Sequence, residues 1–225
     1  SIFMLPGTKG YAVDVNKQVS DKIVKYMDGI IGAICSVWGQ WHKTIMVSTM
    51  IVNGPVGMIT PGGFTSPMPI GPLIIAQGPV STPQEMKYTK AIANAVDSAL
   101  KAWLAGLMGQ VQYPAFAAFP GPMAPPMPCV PMPLMAFSSA METMMGASML
   151  KNMMVANLGD PQAQHSDPLF DAIAKALNTG FTMMKATTMV TNVLGTGPIP
   201  TFAPPFVPVG PVVGGTVVPT PGILT

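Results

Sequence analysis

The chain contains no arginine: its eleven positive side chains are all lysine, set against nine carboxylates, for a formal net charge of +2. Bidentate phosphate clamping and guanine readout depend on the planar guanidinium fork, so this absence argues against a nucleic-acid partner. Charge of either sign is scarce. Charged residues make up 9%, against about 25% in an ordinary soluble domain, and the mean hydropathy is +0.44. The 225 residues are enough for one substantial core. A monomer of this polarity would nevertheless expose apolar patches of the kind that mark interfaces or membrane contact. Neighbouring chains are therefore expected to cover it.

Cysteine and histidine number two each. Cys35, on a helix, and Cys129, in a proline-rich stretch, provide neither a disulfide framework nor metal-ligand spacing, and read as two small buried hydrophobes. His42 follows Cys35 by two turns, and His165 precedes Asp167 by two residues, but neither pair has further ligands nearby. His42 reads as part of a polar stripe and His165 as a solvated loop residue. Asp14, Asp21 and Asp28 recur every seven residues. They line one helical edge, which reads as a solvated edge toward the helix start rather than a calcium site or an acid/base pair. No Walker loop, dinucleotide fingerprint or nucleophile elbow occurs, and Gly214-Gly215 opens no helix that could cradle phosphate. The expectation is a protein that is not an enzyme, with no catalytic residue, no cofactor and no metal. The start Ser1-Ile-Phe-Met-Leu-Pro lacks a basic region, so no signal peptide is visible. Ser1 reads as the residue exposed by removal of an initiator Met, and synthesis in a cytoplasm is expected.

What the chain does contain is methionine, proline and glycine: 21 Met, 26 Pro and 23 Gly. Methionine's flexible thioether fills irregular cores and serves adaptable contact surfaces. Neighbours on a helix lie about 100° apart, so Met144-Met145, Met153-Met154 and Met183-Met184 cannot all point into one core, and some are expected to face another chain.

The spacing predicts a first helix over 14–52, with Val19, Ile23, Met27, Ile30, Ile34, Trp38, Trp41 and Ile45 on one stripe. Asn53-Gly54-Pro55 ends it. Residues 54–81 carry Gly54-Pro55, Pro61-Gly62-Gly63, Pro67, Pro69 and Gly71-Pro72, and read as neither helix nor central strand. Thr82-Pro83-Gln84-Glu85 is a capping box with proline at the first helical position. It opens a second helix through Ile92, Val96, Leu100, Trp103 and Leu107, which gives way before Pro114 to a connector from Tyr113 to Pro133. Ser139-Ala140-Met141-Glu142 reads as another capping box, opening a Met-rich helix that ends near Gly159. Asp167-Pro168 opens a fourth helix over about 168–194, with Ile173, Leu177, Phe181 and Met184 on one face. Gly195–Thr225, including Pro204-Pro205-Phe206-Val207-Pro208, reads as polyproline II or irregular strand.

The most informative pattern is a repeat. Asp28 to Gly54-Pro55 aligns without gaps on Asp171 to Gly197-Pro198: Ile30 on Ile173, Ala33 on Ala176, Ile34 on Leu177, Trp38 on Phe181, Thr44 on Thr187, Met46 on Met189, Val47 on Val190, Ser48 on Thr191 and Ile51 on Leu194. A weaker third copy runs from Asn94 through Trp103 to Gly121-Pro122 and does not align without gaps. Three copies would let one chain mimic three subunits around an axis. The expected architecture is all-α: about four apolar helices with long Pro/Gly-rich extended arms. Its units are 1–81, helix plus arm; 82–135, a weaker helix plus arm; and 136–225, a Met-rich helix followed by a third helix plus arm. Apolar side chains between the prolines separate these arms from polar disordered chain, and arms of this length are expected to drape over neighbouring subunits.

A membrane-associated or pore-forming protein is the alternative. Residues 29–52 are nearly continuous apolar sequence, long enough for about 30 Å of hydrocarbon. Gln40, His42 and Lys43 near the midpoint count against it, at about 3 kcal/mol for the lysine. So do the absence of dense basic flanks and the unpaired carbonyls that lipid-exposed arms would carry.

The segments Tyr113-Pro-Ala-Phe-Ala-Ala-Phe-Pro-Gly-Pro-Met-Ala-Pro-Pro-Met-Pro and Thr196-Gly-Pro-Ile-Pro-Thr-Phe-Ala-Pro-Pro-Phe-Val-Pro-Val-Gly-Pro-Val-Val-Gly-Gly resemble parts of small virion proteins of tailed bacteriophages, of the tail, hub and baseplate type. The resemblance covers about a quarter of the chain and is one of style rather than motif. It implies a structural role in a symmetric particle, the virion as location, and obligate contacts with other structural proteins of the same assembly. It carries over no functional residue.

Overall fold

The computed structural model describes residues 8–118, 121–160, 163, 165–203 and 210–225. The Ser1 start and the run Pro204–Pro208 lie outside the described residues. Five α-helices are described: α1 Thr8–His42, α2 Ile70–Gln77, α3 Pro83–Gly106, α4 Ala147–Leu158 and α5 Ser166–Thr187.

The capping box at Thr82 is present as read: Thr82 Oγ1 accepts from the Glu85 N–H at 3.1 Å and Glu85 Oε2 accepts from the Thr82 N–H at 3.1 Å. Helix α1 buries Tyr26, Ile30, Ile34, Val37 and Trp41, a stripe with spacings of three and four. It stops at His42 rather than running to 52. Thr44 donates its hydroxyl to the Trp41 carbonyl at 2.7 Å, and the Lys43 and Thr44 amides turn back on Gln40 and Trp41. The β-branched run beyond them takes up extended structure. Helix α5 also stops short of 194, at Thr187, where the Thr188 amide closes its last turn on the Met184 carbonyl at 2.9 Å. At its start His165, not Asp167, holds the cap position. The Met-rich helix begins at Ala147, later than read. Ser139 is committed elsewhere, donating to the Trp103 carbonyl at 2.8 Å, and Glu142 pairs with Lys185 at 2.6 Å.

The all-α expectation is overturned. A seven-stranded antiparallel sheet runs through the segments read as arms and also takes in stretches read as helix, 107–112 and the ends of 14–52 and 168–194, in the order β6-β10-β11-β2-β3-β5-β8. Its strands are β2 Ile51–Gly54, β3 Val56–Ile59, β5 Leu107–Gln112, β6 Met123–Pro128, β8 Ser138–Ser139, β10 Leu194–Pro198 and β11 Val212–Val218. Two small ladders pair β1 Met46–Val47 with β4 Phe64–Thr65, and β7 Met132–Pro133 with β9 Met189–Val190. Residues 54–81 thus contain an interior strand, β3, and a helix, α2. The prolines allow both because they stand where no amide is needed. Pro55 occupies the β2–β3 turn, and Pro72 is the third residue of α2, within the turn whose N–H groups have no intrahelical partner. Pro125, Pro126 and Pro128 lie in β6, which among the described residues is an edge strand paired only with β10, where proline also blocks further pairing.

The two segments aligned in sequence fold alike. Each is a helix, a two-residue strand and a longer strand: α1, β1, β2 and α5, β9, β10. With α3 and β5, three long helices each lead into the first strand of a pair: β2 and β3, β5 and β6, β10 and β11. The second strand of each pair joins the first strand of the next: β3 with β5, β6 with β10, and β11 back to β2. Three backbone hydrogen bonds follow the same cycle, each running from the chain after one strand pair to the end of the next long helix: Gly62 N–H to Ala105 O (2.7 Å), Leu134 N–H to Thr188 O (2.9 Å) and Gly222 N–H to Ile45 O (3.2 Å). The fold is a quasi-threefold of units, each a long helix followed by two strands, which pair with each other in the first and third units. The helices meet through Trp103 and Phe181, edge-to-face at 5.2 Å, Trp38 Nε1 donating to Met184 Sδ at 3.4 Å, and Tyr26 with Thr89, hydroxyl to hydroxyl at 3.2 Å.

The sheet curls. The Val130 amide, just past β6, donates to the Gln112 carbonyl at the end of β5 at 2.7 Å, which draws nearly opposite ends of the strand order together. Inside the curl lies Tyr113. A Cβ on Gly195 of β10 would sit 2.6 Å from its Cζ, and one on Gly57 of β3 would sit 3.0 Å from its Cε2. Gly195→Ala is therefore expected to destabilise the fold by about 1–3 kcal/mol through overpacking, read as a lowered denaturant midpoint. Gly39→Ala, where a Cβ meets nothing within 4 Å, serves as the control and is expected to hold or raise the midpoint.

Candidate functional site

The connections of the three strand pairs converge. Gly54 and Pro55 of the first, Pro114, Ala115 and Phe116 of the second, and Gly210 and Pro211 of the third line a cavity of about 280 Å³. Gly54, at φ +63°, makes the β2–β3 turn, and Gly214, at φ +64°, lets its amide reach Asn53 Oδ1 at 2.9 Å, a backbone angle that suits glycine. Gly210 N–H bonds Phe116 O at 3.2 Å, and Tyr113 N–H bonds Pro55 O at 2.8 Å. The Tyr113 hydroxyl donates to Val193 O at 3.1 Å, and burial pushes its pKa well above the ordinary phenol value. Among the described residues the cavity lining holds no titratable or nucleophilic side chain, so its chemistry is shape and apolar contact.

A second, more open groove of about 590 Å³ lies between α1, the start of α3 and the α4–α5 turn, bordered by Lys22, Tyr26, Glu85, Asp160 and His165. Burial pushes the Tyr26 hydroxyl up to about 12. Glu85 is engaged by its capping box.

The histidines and cysteines are not brought together. His165 is exposed, with φ 61°, at the cap of α5, whereas His42 is half-buried at the end of α1. Cys129 is buried, and Cys35, expected inside, is exposed: it lies roughly opposite the Tyr26–Trp41 stripe on the helix wheel. Asp14, Asp21 and Asp28 are all exposed. Among the described residues no group of three or more His, Cys, Asp or Glu could hold a metal ion, and no helix is long and apolar enough to cross a membrane. Residues 29–52, the candidate span, divide into the end of α1, β1 and the start of β2. No protein-family model, no curated protein and no solved structure matches this chain.

Sequence reasoning missed the convergence of the turns. The signal it had was Gly-Pro at 54–55 and at 210–211, which supply two of the three lining segments.

His42 carries one measurable consequence. Burial lowers its pKa below the ordinary 6.5, and Nε2 has no hydrogen-bond partner among the described residues. The folded state therefore holds fewer protons than the unfolded state once pH falls below the unfolded value, and stability declines from there through the folded pKa. A denaturant series between pH 7.5 and 5 is expected to show that decline, and His42→Gln is expected to flatten it.

Proposed function

We propose that this chain is a structural subunit of a large symmetric assembly of the phage tail, hub or baseplate type, seated through its sheet half against obligate neighbours. The observation that carries this reading is the segregation of charge. All twenty charged residues fall in helices or the turns beside them, and none falls in 44–84, 102–141 or 186–225, which hold every described strand. That uncharged half still exposes large apolar side chains: Ile51 55%, Met58 49%, Met108 40%, Met123 52% and Val213 53%. Ile51 and Met58 are direct cross-strand partners on β2 and β3, with Met108 two residues from Met58's partner Gln110 on β5, so three adjacent strands share one apolar patch. A surface with neither charge nor cover is the composition of an obligate interface core.

The resemblance of the segments beginning at Tyr113 and Thr196 to virion proteins supports the class of assembly. The arms become hairpins in this proposal, and the contacts are made by strand faces. Proline along β6 and the brevity of β8 make strand addition at the sheet edges a poor route.

Substitutions on that face test the proposal. Ile51→Lys with Met58→Lys lies on exposed positions, so the isolated chain is expected to keep its stability within about 0.5 kcal/mol per site. Incorporation into assembled particles, measured by quantitative mass spectrometry, is expected to fall at least tenfold. A folded double variant that incorporates normally sinks the reading.

A further inference from the structure

We infer that the partner surface is the end of a threefold-symmetric homotrimer, one chain of this protein seating coaxially on three partner subunits; this rests on the structural-subunit reading above. Three observations lead there. The strand pairing closes a cycle in which each unit contacts the next in the same sense. The three backbone hydrogen bonds from Gly62, Leu134 and Gly222 repeat one linkage at each boundary. The turns of all three units meet at one cavity, lined by Pro55, Ala115 and Pro211 among others.

A partner that binds such a unit in one way can bind it in three equivalent ways around the axis, and a closed threefold assembly supplies three copies of that binding surface. The strands of each unit contribute to the outward apolar surface: Ile51 and Met58 from the first, Met108 and Met123 from the second, Val213 from the third. The sheet end is the end that can dock this way. At the helical end α1, with 35 residues against 24 in α3 and 22 in α5, carries a segment, 13–22, that is exposed throughout. That overhang has no counterpart in the other two units. The absence of charge across all three hairpins further selects the partner: its contact surface is itself apolar and uncharged, because a buried charge facing this half would find no opposite charge.

The test counts and maps contacts in intact particles. A photo-cross-linking amino acid is placed singly at Ile51, Met108 or Val213, one per hairpin, with Met183 on α5, 63% exposed, as the position outside the docking end. The expected result is that all three hairpin positions cross-link to the same partner polypeptide and Met183 does not. Isotope-dilution mass spectrometry should then give one copy of this chain for three of that polypeptide. Cross-links from the three hairpins to different polypeptides, to a second copy of this chain, or to nothing overturn the inference, as does a one-to-one ratio. Failure to find the chain in any particle removes the structural-subunit reading itself, and the two failures are thereby distinguished.

Discussion

The fold depends on how closely backbone can approach the ring of Tyr113. This one side chain, at the end of β5, is met by Gly57 of the first unit and Gly195 of the third, and stacks at a tilt on Phe116 of its own unit with centroids 5.1 Å apart. The strands β3 and β10 are three places apart in the sheet. They can flank one ring only because the sheet curls and because neither presents a Cβ there. The hydroxyl, buried with the ring, is satisfied by the Val193 carbonyl and lies 3.7 Å from Met50 Sδ, so the polar tip is not left at the cost of an unmet hydrogen bond.

From that constraint follows the division of the molecule. A small curled sheet has an interior wide enough for side chains but not for a second layer, so its strands must cover themselves elsewhere. The three long helices do so at the end where each first strand starts. Their buried faces form one continuous core with the sheet: Trp41, Trp103, Phe64, Phe137 and Phe170 are all nearly inaccessible. Outward helix faces can carry charge, and pairs such as Lys101 with Asp97 and Lys175 with Asp171 lie on them. The outward faces of the strands carry none. The methionine pairs show the same sorting at single-residue scale: Met145 and Met154 are buried, and their neighbours Met144 and Met153 are only partly so.

Much of the helical content was legible in sequence because capping chemistry and three-to-four spacing are local. Thr82 and Glu85, Gly159 with its left-handed backbone, and the Ile173–Leu177–Phe181 face all behave as their residue types dictate. The sheet was not legible, for a physical reason. Its strands are two to seven residues long and are flanked or interrupted by glycine and proline, the residues that ordinarily exclude strands. What rescues them is tertiary: an edge position for the prolines of β6, a turn for Pro55, and ring contacts that require Gly57 and Gly195. The repeat carried the non-local information. The alignment of 28–55 with 171–198 puts matching residues in matching strands, β1 with β9 and β2 with β10, because similar sequence keeps register even where propensity points away from it.

The imperfections of the threefold are as informative as its regularities. In the first and third units a two-residue strand separates helix from hairpin, whereas α3 runs directly into β5, which is why the third copy aligns only with gaps. Among the described residues the second unit also has no ladder between its own strands, and the bond from Val130 to Gln112 links them. A homotrimer could not carry such differences, since each subunit would repeat them. A single chain can vary one unit while keeping the contacts that close the cycle. The three boundary hydrogen bonds are retained across all three units, including the irregular one, so the geometry held constant is the junction between units rather than the interior of any of them. Symmetry is thus conserved where one unit hands the chain's packing to the next, which is the arrangement that presents three hairpins around one axis.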